Sequence, residues 1–195
     1  MAESDRTPEA GRAADAGQEL AERMGSIHIA RIDEMPRIEL YLDQVLSIVC
    51  NELSFMALPG EELLTGSMVN NYVKKRVVPP PVRRRYTRRH VATLIFVCAF
   101  KRVFSISEVH DAYEACVREG VDVASTYDEL VGALERTLAT RFGGEGPDCM
   151  AAPQVALRDA SGAEVAPGLA LVMSAGVEAV ADKVYVEQMI RVGRL

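Results

Sequence analysis

The side chains with the clearest chemical potential lie between Leu63 and Ser107. That stretch holds no Asp or Glu, yet carries ten cations: Lys74, Lys75, Arg76, Arg83, Arg84, Arg85, Arg88, Arg89, Lys101 and Arg102. The whole chain has a formal charge of −6, so the rest carries −16, with 12 Lys and Arg set against 28 Asp and Glu. Charge segregated this sharply suits a polyanion-binding surface, because each phosphate met by Lys or Arg releases condensed counterions. The competing reading is a solvated basic face that docks on the acidic remainder of the chain or on an acidic protein partner. Like charges this dense repel one another until something neutralises them, and that favours an external polyanion.

Within the basic stretch the residue types divide by task. Asn70 and Asn71 stand beside Lys74 and Lys75. Asn pairs with adenine edges in a major groove, and Lys holds the flanking phosphates. Thr65 is placed to cap the helix that carries them, with Ser67 in its first turn. Pro79, Pro80 and Pro81 then end that helix and stiffen an extended strip, Val82-Arg83-Arg84-Arg85-Tyr86, suited to phosphate or minor-groove contact. Arg88 and Arg89 follow Thr87, the cap of the next helix. The candidate DNA-binding set is therefore Thr65, Ser67, Asn70, Asn71, Lys74, Lys75, Arg83, Arg84, Arg85, Tyr86, Arg88 and Arg89.

Other chemistries find little support. His28, His90 and His110 have no Ser, Cys or Asp constellation around them, and His90 reads as a surface or capping residue. The Gly143 to Gly146 run lacks the strand before it and the Lys-Ser/Thr ending of a phosphate loop. Cys50, Cys98, Cys116 and Cys149 are scattered without ligand spacing, so they read as buried thiols in a reducing compartment. No enzyme, metal or cofactor is expected. The N-terminus has no apolar signal core and no run of 18 apolar residues occurs, which points to a cytoplasmic protein without a membrane span.

The elements that must position these residues follow from periodicity and caps. Residues 1–30, rich in Ala, Gly and acids, read as a mobile leader. Pro36 to Leu53 reads as a helix with Ile38, Leu42, Val45, Leu46, Val49 and Leu53 on one stripe. A Pro59-Gly60 turn separates it from the recognition helix, where Val69, Tyr72 and Val73 face inward. Arg88 to about Val103 is apolar nearly all round, so other elements must cover it. Ser105 and Glu108 form a capping box for a helix that Gly120 stops. Ser125 to Phe142 and Gly168 to Arg191 read as two further helices, the second with Leu169, Val172, Met173, Gly176, Val180 and Val184 inward. Residues 143–147 form the linker between them.

The motifs Val77-Val78-Pro79-Pro80, Arg83-Arg84-Arg85-Tyr86-Thr87 and Phe104-Ser105-Ile106-Ser107-Glu108-Val109 follow the order seen in the MerR superfamily of bacterial winged helix-turn-helix regulators, which the chain resembles. The wording Leu64-Thr65-x-Ser67-Met68-Val69-Asn70-Asn71-Tyr72-Val73-Lys74 is similar to an uncharacterised family of Gram-positive bacterial proteins. The resemblance implies an all-α fold with a helix-turn-helix unit over 31–120, a short basic wing, and C-terminal helices over 121–195 that cover the core or pair two subunits. It also implies a transcriptional regulator that binds double-stranded DNA, dimeric through those helices. The other reading is a helical protein-interaction module whose basic face docks an acidic partner.

Overall fold

The computed structural model describes residues 8–144 and 152–193, with side chains from Asp15 onward. Among them are seven α-helices and no strand: α1 Pro8–Gly25, α2 Leu42–Glu52, α3 Gly66–Lys74, α4 Arg88–Phe100, α5 Ile106–Arg118, α6 Val123–Gly143 and α7 Pro167–Arg191. The all-α expectation holds.

Helix α4 lies at the centre because its sequence leaves it no polar face. Val91, Leu94, Ile95, Val97 and Ala99 are buried, and α2, α5, α6 and α7 pack on it. The cover demanded by its all-round apolarity thus comes mainly from α2 and the two C-terminal helices. Gly176 of α7 permits that approach: a Cβ there would stand 2.9 Å from Cε1 of Phe100. The Phe100 ring also lies between Phe96, at 4.3 Å, and Phe104, at 6.1 Å between centroids. Each fully buried Leu, Ile or Val contributes about 1.5–3 kcal/mol, more than a typical exposed ion pair, so the fold rests on this core more than on the exposed charges of the basic stretch.

Several expectations need correction. The leader is not mobile over its described part. Residues 8–25 form α1, which packs on α6 and buries Leu20 and Met24. Alanine has the highest helix propensity, and two large anchors at a spacing of four residues suffice once α6 offers a partner. Residues 1–7 lie outside the described part. The helix expected from Pro36 begins at Leu42 instead. Leu40 donates its N–H to the Tyr86 carbonyl at 2.8 Å and accepts from the Tyr86 N–H at 2.9 Å, so a distant partner holds Leu40 in a bridge, and Ile38, in the bend before it, stays 68% exposed. Helix α4 ends at Phe100, short of Val103. On α7, Val172 is exposed, and Val177 and Ala181 take the inward places. Gly143 closes α6 and Gly144 is its C-cap; the rest of the expected linker, 145–147, lies outside the described residues, as does Cys149.

The acidic remainder has its own work. Ile29 N–H donates to Glu135 at 2.6 Å, Ala30 N–H to Glu52 at 2.7 Å, and Ile32 N–H to Asp128 at 2.8 Å. Arg31 pairs with Glu135, and the Tyr127 hydroxyl donates to the Ala30 carbonyl at 2.8 Å. Carboxylates of α2 and α6 therefore satisfy a connecting segment that has no secondary structure of its own. They are not spent on the basic stretch.

Candidate nucleic-acid interface

Helix α3 begins as the sequence implies. Thr65 Oγ1 accepts from the Met68 N–H at 3.2 Å and lies 2.9 Å from Ser67 Oγ. Thr65 is half-buried and engaged as a cap, while Ser67 is exposed. Val69 and Tyr72 are buried against the core, which turns Asn70, Asn71, Lys74 and Lys75 outward into solvent. The helix ends without glycine. Arg76 takes a left-handed φ of 59°, which lets the Val77 N–H reach the Tyr72 carbonyl at 3.0 Å. Val77 and Val78 then plug into the core, so the double aliphatic anchors the exit of α3 before the prolines.

The strip after the prolines is a tight turn, which corrects the extended reading. Arg85 N–H donates to the Val82 carbonyl at 2.9 Å. Arg83 and Arg84 sit at φ 50° and 61°, the signs of a type I′ turn, where Gly and Asn are the usual residues. Val82 bridges Arg85, and Tyr86 bridges Leu40, so residues 82–86 form two isolated bridges where a short wing was expected. Its tip exposes Arg83, Arg84 and Val82, the last at 70%. Arg85 folds back with its guanidinium 3.5 Å from the Tyr41 ring centroid and donates to the Tyr41 hydroxyl at 2.5 Å. Tyr86 must be withdrawn from the contact set. It is 5% exposed, and its ring meets His90 edge-on at 5.5 Å.

His90 supports the base of the arginine turn from α4. The Thr87 N–H donates to His90 Nδ1 at 3.0 Å, so the capping reading holds and the surface reading does not, since the residue is buried. Accepting at Nδ1 places the ring hydrogen on Nε2. Burial keeps the imidazole pKa below the usual histidine range.

The ten cations do not share one fate. Arg102 is 8% exposed at its side chain and pairs with Glu61 at 3.0 Å and Glu187 at 2.5 Å. It bolts α4 to α7 and belongs to the core. Arg88 pairs with Asp33 at 2.9 Å. Lys74, Lys75, Arg76, Arg83, Arg84, Arg89 and Lys101 are exposed and form no ion pair among the described residues, although Arg89 attracts the Asp122 carboxylate. Lys74 and Arg76 border a shallow depression with Pro79, Pro80 and Tyr113. Pro79 and Tyr113 also line a cavity edged by Arg89, so the end of α3 adjoins the start of α4. Arg88 and Arg89 occupy the first turn of α4, which contains no acid. Cations there oppose the helix dipole, and an anion bound at that end would relieve both.

Sequence reasoning missed the roles of Arg76, Tyr41 and Asp33. Arg76 carried a signal, being the residue just beyond a helix end; Tyr41 and Asp33 reach the site only through tertiary contacts. Residues 53–65, including a 3-10 turn at Ser54–Met56, separate α2 from α3, where a standard helix-turn-helix uses about three or four. Cys98 and Cys116 are buried, and burial pushes their thiols up to about 12 and about 11, while Cys50, expected to be buried, is only half-buried. Among the described residues no helix is long and apolar enough to cross a membrane.

Comparison with known proteins adds one finding. No curated protein and no solved structure matches the chain. Residues 30–130, more than half of the chain and the whole of α2 to α5 with the basic stretch between them, match the model of the family described as a domain of unknown function, DUF1836, and the chain belongs to that family.

Proposed function

We propose that this chain binds double-stranded DNA and acts as a transcriptional regulator, with α3 as a MerR-like recognition helix and the Arg83-Arg84 turn as a reduced wing. The observation that carries the reading is the placement of arginine at three left-handed backbone positions, Arg76, Arg83 and Arg84. A non-glycine residue there costs roughly 1 kcal/mol or more. Each of the three is exposed and without an ion pair among the described residues, so the fold gains nothing from the charge that offsets the strain. Phosphate contact gives that charge a use. Asn70 and Asn71 supply base-edge chemistry on the exposed side of α3, flanked by Lys74 and Lys75.

Pairing of two copies completes the reading. Leu171, Val172, Val186 and Ile190 of α7 are large apolar side chains left in solvent, and a second α7 is a suitable cover. Two half-sites would then be read together, which analytical ultracentrifugation with and without duplex tests.

The direct test separates affinity from specificity. Replacing Lys74, Lys75 and Arg76 by Ala should weaken binding to every duplex and flatten the log-log salt dependence by about 0.9 per lost contact. Replacing Asn70 and Asn71 by Ala should leave the slope unchanged and erase the preference among sequences. An unchanged slope in the first variant removes α3 from the interface. Tight binding to an acidic polypeptide with no binding to DNA would give the surface to an acidic protein partner instead.

A further inference from the structure

A cavity of about 360 Å³ opens between α4, α5 and α6, within the size range of small-molecule sites, roughly 300–1,000 Å³. Its walls are mainly apolar and aromatic, with Phe96, Tyr113, Tyr127, Leu130, Val121 and Met173 among them. Arg89 and Asp122 are the charged groups in that lining; of its two threonines, Thr93 already donates its hydroxyl to the Arg89 carbonyl at 2.8 Å. Arg89 stands at the edge, exposed and without an ion pair among the described residues. Asp122 lies near it, but its Oδ2 accepts the Ser125 N–H at 2.8 Å as the cap of α6. That bond, aided by the attraction of Arg89, holds the Asp122 carboxyl below the usual range. Thr126, the other threonine, is 6% exposed, and its hydroxyl is closed off from solvent and from the cavity, so it adds no polar contact there.

These groups select among ligands. An apolar molecule without polar atoms would leave Arg89 without an ion pair. A cation would meet Arg89 and find Asp122 already engaged. An anionic headgroup meets Arg89, and an aromatic body fills the wall of Phe96, Tyr113 and Tyr127.

We propose that this cavity is a binding site for a small aromatic carboxylate, anchored by Arg89 at its mouth and by the aromatic wall of Phe96, Tyr113 and Tyr127. The site stands apart from the DNA reading, since nothing in its chemistry requires nucleic acid. Arg89 nonetheless belongs to both surfaces, so a bound carboxylate would take one cation from the phosphate-facing set.

The test is calorimetric titration of the full chain, without DNA, using indole-3-propionate and its neutral amide, with 4-phenylbutyrate as a second acid. The acids should saturate one site and bind at least about tenfold more tightly than the amide, as a charge-assisted contact requires. Arg89→Gln lies on the surface and should keep the fold. It should bring the acid down to the affinity of the amide and leave the amide unchanged. Ala124→Leu, which adds bulk to the half-buried lining at the start of α6, should weaken both, with an unchanged melting curve confirming its fold. Equal affinity for acid and amide, binding by neither acid below about 1 mM, or wild-type affinity in Arg89→Gln would each overturn the assignment.

Discussion

Exchange of Arg83-Arg84 for Asn-Gly separates stability from binding more sharply than any other change. Both residues hold positive φ, 50° and 61°, in the Val82–Arg85 turn. Non-glycine L-residues lose about 1–2 kcal/mol each in that region, whereas Asn-Gly is the preferred pair for a type I′ turn. Glycine returns about 0.5–1 kcal/mol of that gain through its greater freedom in the unfolded chain. The double variant should therefore be more stable by about 1 kcal/mol, a rise of roughly 2–4 °C in Tm for a chain of this size. Neither guanidinium has an ion pair among the described residues, so no compensating contact is lost. Binding to duplex DNA should move the other way. With two phosphate contacts gone, the log-log salt slope falls by about 1.8, and a fourfold rise in salt then weakens binding about 12-fold less than it does for the parent. Calorimetric melting and anisotropy titrations on the same preparations read both quantities. A loss of stability with an unchanged salt slope would show that the arginines serve the fold, and the reasoning from backbone strain would fail.

The remaining predictions use residues with other roles. Arg102→Met should lower stability by roughly 2–3 kcal/mol, because Glu61 and Glu187 lose their shared partner, a figure already reduced for the exposure of Glu61. The same variant should leave the DNA salt slope unchanged, and a flatter slope would return Arg102 to the interface. Gly176→Ala should cost about 1–3 kcal/mol in a denaturation experiment, since the new methyl would stand 2.9 Å from Phe100; wild-type stability would show that α4 and α7 have slack. His90 is neutral in the fold, with its pKa lowered by burial, while the unfolded chain protonates near pH 6.5. Its contribution is complete above that pH and declines as pH falls from there toward the folded pKa. His90→Gln should flatten the stability profile over that window, and an identical profile would clear His90 of the effect. Saturating indole-3-propionate should lower the DNA salt slope by about 0.9 if it takes Arg89 from one phosphate, and a ligand that binds without moving the slope would separate the two sites.

Local signals carried much of the fold into the sequence. Thr65, the Ser105 and Glu108 box, and Gly120 at φ 69° mark helix ends where the structure has them, because caps act within one turn. The need for cover over α4 was readable from its lack of a polar face. What escaped was set by distant partners. Nothing near Pro36 announces that Leu40 will bridge Tyr86, and nothing in residues 8–25 announces that α6 will accept Leu20 and Met24. The site divides the same way. The outward set on α3 followed from its inward Val69 and Tyr72, whereas the fate of each arginine depended on which acid or ring the fold brought to it. Arg85 met Tyr41, Arg88 met Asp33, and Arg102 met Glu61 and Glu187.

The most direct test of the account is an anisotropy titration of the full chain with random duplex and with duplex from the region upstream of its own gene, at about 50 and 200 mM salt. Binding to both duplexes should weaken steeply with salt, with the upstream duplex preferred. Absence of binding at the lower salt would contradict it and leave the exposed cations of α3, the turn and α4 to another partner.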